Sequence, residues 1–252
     1  MFMGITLGIT PLFRGGKGQK NGYMRKIAVI SSKWIKCALF ALLLALIAGA
    51  AAGGAALAAG AVPPDAVVVL DAGHGGFDGG VVAADGSTEA EINLRITMRV
   101  KKRLEEENIA VVLTRTDASA LGANKREDML ERARIIESSG ADAVISIHVN
   151  KYTSPSRRGV QVFYGDTGTG GAFAAKLQSV FNTYLNEKYC GRSYSALAGD
   201  YFIAKCSSIP SVIAECGFIS NSEDLKLLKS SAYADEIAEC IARCVKSAAA
   251  GV

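Results

Sequence analysis

From residue 66 onward, short runs of consecutive apolar residues alternate with longer stretches in which apolar positions recur at helical spacing. Residues 66–71, Ala-Val-Val-Val-Leu-Asp, are an unbroken apolar run ending in an acid, as in a strand covered on both faces within a largely parallel sheet. Residues 88–107 read as a helix, because Ile92, Ile96, Val100 and Leu104 share one face and Thr88 with Glu91 forms a capping box at its start. A strand over 110–114, a helix over 124–138 ended by Gly140, and a second buried strand over 143–148 follow. Residues 159–164 alternate like a half-exposed strand. A helix over about 171–188, strands near 201–204 and 211–215, and closing helices after Asn221 complete the pattern. This succession predicts an α/β fold: one layered domain, 63–252, with a twisted, mostly parallel mixed sheet flanked by helices.

The first 62 residues have a different composition. Residues 37–62 contain no charged residue, and residues 1–36 carry Arg14, Lys17, Lys20, Arg25, Lys26, Lys33 and Lys36 with no acid. A basic lead followed by an apolar run is the pattern of an export signal or signal anchor, and the run exceeds the roughly 20 residues that cross a bilayer. Its second half is Ala and Gly, and Ala59-Gly60-Ala61 offers a signal peptidase a small-x-small site, so a membrane anchor and a cleaved signal peptide both stay open. Met24, followed by Arg25 and Lys26, is an alternative start. The chain is expected to be exported, with its N-terminus on the cytoplasmic side. Removing those seven bases from the 28 leaves 21 against 24 acids, so the folded part is about −3 and gives no reason to expect a nucleic-acid partner.

Six cysteines in an exported chain raise the question of disulfides, but Cys37 lies in the apolar run and the other five cannot all pair. Cys240 and Cys244 stand one helical turn apart, the position of buried packers. No cysteine-based zinc spacing occurs.

In open α/β sheets the ligand crevice lies beyond the carboxyl ends of the strands. Three expected strands deliver a titratable group there: His74, His148 and Glu215, and the chain has only two histidines. Neutral imidazole suits zinc, and a catalytic zinc keeps three protein ligands, so a carboxylate is needed as the third. Glu89, Glu91 and Glu215 are the candidates; Glu91 is committed to the helix cap, which favours Glu89. Each residue also has an ordinary structural explanation. A strand-end His is often a hydrogen-bonded packing residue, Gly73, Gly75 and Gly76 make a turn, and an acid in a first helical turn is favoured by the macrodipole alone. Glu215 has the weakest such explanation, since a carboxylate ending an apolar run is desolvated at considerable cost.

At these residues the chain resembles a known family. Residues 70–80 (Leu-Asp-Ala-Gly-His-Gly-Gly-Phe-Asp-Gly-Gly), 88–94, 112–117, 146–150 and 214–221 are similar, in order, to the motifs of zinc-dependent N-acetylmuramoyl-L-alanine amidases. Where that family places Lys and Asp after its ligand Glu, Ala90 and Glu91 stand here. The resemblance implies an α/β catalytic domain, Zn²⁺ held by His74, Glu89 and His148, Glu215 as the catalytic carboxylate, and peptidoglycan as substrate. The single N-terminal segment and the Glu-Cys-Gly-Phe variant resemble the germination-specific branch acting on spore cortex. A vegetative autolytic amidase, a zinc hydrolase cutting another peptidoglycan bond, and a non-catalytic wall-binding domain are the other readings. Localisation is expected to come from the membrane segment or from an activating or localising protein partner. The short 151–158 loop predicts an open groove.

Overall fold

Among the described residues six strands form one mixed sheet in the order β2-β1-β3-β6-β4-β5: β1 Ala66–Ala72, β2 Ile109–Leu113, β3 Ala143–Asn150, β4 Gln161–Gly165, β5 Leu197–Gly199 and β6 Ser211–Phe218. All neighbours pair in parallel except β4 with β6. The computed structural model describes residues 62–251, so the leader, anchor and Met24 expectations lie outside the described residues. Among the described residues no helix is long and apolar enough to cross a membrane.

Both faces of the sheet are covered, which explains why its strands are apolar without alternation. On one face, Val68, Leu70, Ile145, Ile147, Val212 and Ala214 pack with α1 (Glu89–Glu105), α3 (Gly171–Phe181) and α6 (Ser231–Ala249). The α1 stripe Ile92, Ile96, Val100 and Leu104 is fully enclosed there, each side chain contributing roughly 1.5–3 kcal/mol by leaving water. The capping box forms as expected: Thr88 Oγ1 accepts from Glu91 N at 3.3 Å and Glu91 Oε2 accepts from Thr88 N at 3.2 Å. Cys216, Cys240 and Cys244 are buried and unbridged, and Cys190 and Cys206 are also free thiols. On the opposite face Val69, Val144 and Ile213 meet Ile136 of α2 (Lys125–Ser138) together with Ile203 and Ala204.

Two expectations need correction. The apolar tetrad 201–204 is not a strand: Phe202–Ala204 is a 3₁₀ turn that inserts Ile203 and Ala204 into the second core. The edge strand is Leu197–Gly199, where Leu197 is exposed and pairing to β4 rests on backbone hydrogen bonds, which hydrophobicity does not reveal. The helix expected over 171–188 continues to Cys190, but through a π-helical stretch, Asn182–Asn186, before the short α4 (Glu187–Cys190). Gln178, Asn182 and Asn186 bond to one another along this helix, and their amides hold the start of β4: Asn186 binds Val160 N and O at 2.7 and 2.8 Å, and Gln178 Oε1 accepts from Val162 N at 2.7 Å. A short α5 (Ser222–Leu228), capped by Asn221, connects β6 to α6.

Candidate metal centre and active site

Strand register sets a line of functional positions across the carboxyl edge of β1, β3 and β6. His148 lies opposite Glu215 between β3 and β6, and Glu215 lies opposite Gln161 between β6 and β4. Gly73 continues β1 beside β3, its N–H donating to Ile147 O at 3.1 Å. Opposed residues share a face, so Gly73, His148, Glu215 and Gln161 form one row. Glycine is required in the first place: a Cβ on Gly73 would stand 2.2 Å from the His148 ring.

His74 follows with φ 62°, a left-handed conformation that is costly for a side-chain-bearing residue. The turn is clamped: Arg132 Nη2 donates to His74 O at 2.7 Å, and Arg115 donates to Ala72 O, Gly73 O and Ala90 O at 2.8, 3.1 and 2.9 Å. Asp78 Oδ2, 3.0 Å from His74 Nδ1, fixes the ring so that Nε2 faces Glu89 Oε1 at 3.2 Å. His148 Nδ1 approaches the same oxygen at 3.0 Å, and the two rings meet edge to face at 5.1 Å. Glu89 reaches this point from the first turn of α1, and Val81 N donates to its other oxygen at 3.0 Å.

One ligand atom from each of His74, Glu89 and His148 lies within 4.8 Å of the others. The Glu89 side chain is 5% exposed while each imidazole is 21% exposed, so the group is rooted in the protein and opens to solvent on the histidine side. Burial opposes ionisation of Glu89, yet its hydrogen bonds to His148 and His74 prevail and hold the carboxyl well below its usual range. Burial likewise disfavours charge on His74, but Glu89 and Asp78 raise its affinity for a proton. The cluster therefore attracts positive charge, and two imidazoles with one carboxylate are a donor set that suits a divalent transition metal.

The fold agrees with what most of the sequence matches. Residues 68–247 match the model of the N-acetylmuramoyl-L-alanine amidase family. The chain belongs to that family. A germination-specific N-acetylmuramoyl-L-alanine amidase of Bacillus subtilis is 32% identical over 69% of this chain and 76% of the relative. The amidase AmiA of Escherichia coli is 29% identical over 72% of this chain and 75% of its own. Among solved structures, the CwlD amidase of Clostridioides difficile, in complex with the GerS lipoprotein, superposes with a TM-score of 0.69 at 29% identity, covering 74% of this chain and 100% of that one.

In this amidase the structure brings His74, Glu89 and His148 together and leaves Glu91 in its cap. Glu215 stands beside them with Oε2 shielded from solvent and bonded to no other group. Desolvation pushes its carboxyl up to about 7; Glu89 adds to the rise, while His148 and His74 oppose it. Asp78, Arg115 and Arg132 have supporting roles that sequence reasoning did not assign. Asp78 had a readable signal, four residues after His74 in a glycine loop. Arg132 offered only an i,i+4 pairing with Asp128 on its own helix, 2.7 Å away in the structure, since its contacts with Asp71, Ala72 and His74 span about sixty positions.

Proposed function

We propose that this amidase is a zinc hydrolase of the bond between N-acetylmuramic acid and L-alanine, with His74, Glu89 and His148 as ligands and Glu215 as the proton carrier. The reading rests on one observation: a carboxyl with one oxygen shielded from solvent and bonded to nothing lies in register with a histidine of a His-Glu-His group. When bound, the ion supplies Lewis acidity toward the scissile carbonyl. Asp78 holds the His74 tautomer that leaves Nε2 free for the ion. Glu215 takes a proton from the attacking water and delivers it to the departing L-alanine nitrogen, and a carboxyl near 7 can do both around neutral pH. The half-exposed imidazoles leave the groove side open to a bulky glycan.

The likeness to a germination-specific amidase and to CwlD supports a role in spore cortex, where removal of stem peptides precedes muramic-δ-lactam formation. The basic, apolar N-terminal segment supports action outside the membrane, either anchored there or released after signal cleavage. A lipoprotein partner is consistent with the CwlD complex.

The full-length protein, zinc-loaded or chelated, should be incubated with peptidoglycan and the fragments weighed by mass spectrometry. Stem peptides beginning with L-alanine, released only with metal, are expected; metal-dependent cuts elsewhere would make it a different zinc hydrolase. Spores lacking the protein should lack muramic-δ-lactam, whereas an unchanged cortex would favour a vegetative role. Among ligand variants, Glu89→Ala should lose bound zinc and Glu91→Ala should retain about one ion per chain, as metal analysis would reveal. Retention in both would remove Glu89 from the ligand set.

A further inference from the structure

The row Gly73, His148, Glu215, Gln161 does not end at Gln161. Its amide oxygen accepts from Arg157 Nη2 at 3.1 Å, while its Nε2 donates to Ser195 O at 3.3 Å, so both ends of the buried amide are engaged and the guanidinium is tied to the row. Arg157 also lies against three rings: Tyr194 at 5.0 Å, Tyr152 at 5.5 Å and Phe218 at 5.8 Å. Tyr152 follows β3 and Phe218 ends β6, which places this cradle over the same strand ends as the metal centre. The adjacent Arg158 has its carboxylate, Asp224, at 3.3 Å. Arg157 has none among the described residues, and its buried Nε bonds to no acceptor. A half-buried guanidinium, oriented by stacking and by one amide, with unused donors and no counter-ion, is built to receive an anion.

The distance identifies which anion. Neighbouring strands lie about 4.8 Å apart, so Gln161 is one strand from the proton carrier and two from His148, about 10 Å. Arg157 is a further 3.1 Å hydrogen bond beyond Gln161, about 8 Å from the proton carrier, and an extended peptide advances about 3.3 Å per residue, so Arg157 lies about two residues along a chain leaving the scissile amide. We propose that Arg157 is a specificity residue that binds a free carboxylate on the peptide side of the substrate, carried by the residue after L-alanine. This rests on the amidase reading of the site.

The test is calorimetric titration of the full-length, zinc-loaded protein with two product peptides, L-alanyl-D-glutamate whose γ-carboxyl is closed as a methylamide, and the same peptide with its α-carboxylate also amidated. The native protein should bind the acid about tenfold more tightly than the amide, and R157Q should lose that preference while binding the amide unchanged. R157K, which retains charge without the planar fork, should fall between them and carries the comparison if R157Q does not fold. Equal binding of acid and amide by the native protein, binding of neither, or a parallel loss of both in the variants would overturn the proposal and leave Arg157 a packing residue. Cleavage of peptidoglycan by the same preparation is read separately: its absence counts against the amidase reading, whereas cleavage with no acid preference counts against Arg157 alone.

Discussion

Glu215→Gln should reduce kcat on peptidoglycan by about a thousandfold or more while leaving zinc content unchanged, because the amide keeps the shape of the carboxylate but cannot carry a proton. Retained hydrolysis would remove Glu215 from the mechanism. The same substitution should stabilise the metal-free protein, in a pH window fixed by the sign of the shift. In the folded chain the carboxyl keeps its proton up to about pH 7, whereas unfolded it ionises at its ordinary 4.5. The folded state therefore binds the proton more tightly. That contribution is fully present below pH 4.5 and is lost as the pH rises through 7, above which a desolvated carboxylate costs the fold on the order of 3 kcal/mol. Chelated Glu215→Gln should accordingly unfold several degrees above the chelated native protein at pH 8 and nearly with it at pH 4. A gain of equal size at both pH values would mean that burial of the charge is not its origin.

Arg132→Leu should be the most damaging substitution in the supporting structure. Arg132 and Asp71 are 1% and 2% exposed, and their contact is 2.6 Å. Leucine would fill part of the space and leave both Asp71 and Asp128, 2.7 Å from Arg132 Nε, without their buried counter-charge, a loss of about 3–5 kcal/mol in denaturant unfolding. Burial alone would raise the Asp71 carboxyl, but Arg132, Ser146 and Thr114 outweigh it and hold it below its usual value. Without the arginine the group shifts toward its neutral form, so the deficit should be largest above about pH 4 and shrink in acid, where Asp71 is protonated. Arg132 also holds His74 O, so the folded fraction of the variant should bind zinc more weakly. Native-like stability at pH 7 would show that Asp71 finds another partner.

Features that depend on neighbouring residues in the chain were readable in advance. The α1 stripe, its Thr88–Glu91 box and the apolar strands are local patterns, and the structure reproduces them. His74 and His148 stood out because both stand at the carboxyl ends of such strands. What could not be read depends on the fold itself. Gln161 joins the active row only through antiparallel register with β6. Arg132 meets Asp71 across 61 positions, and Asn186 meets Val160 across 26. The misread tetrad 201–204 shows the complementary failure: four apolar residues satisfy a buried turn as well as a strand, and only the packing decides.

The buried polar knot at Asp71 has a consequence for how the sheet finds its alignment. Because β1, β3 and β6 are apolar on both faces, sliding one past another by a single residue would exchange hydrophobic groups for hydrophobic groups, so burial alone discriminates poorly against it. Such a slip would nonetheless turn His148 or Glu215 to the wrong side. Asp71 penalises it, since one carboxylate joins Ser146 of β3 at 2.5 Å, Thr114 just after β2 at 2.7 Å and Arg132 of α2. Misaligned strands would leave an ionised group sealed without partners. The knot thus acts as an alignment key, and weakening it should yield chains that are compact and apolar inside yet catalytically blank.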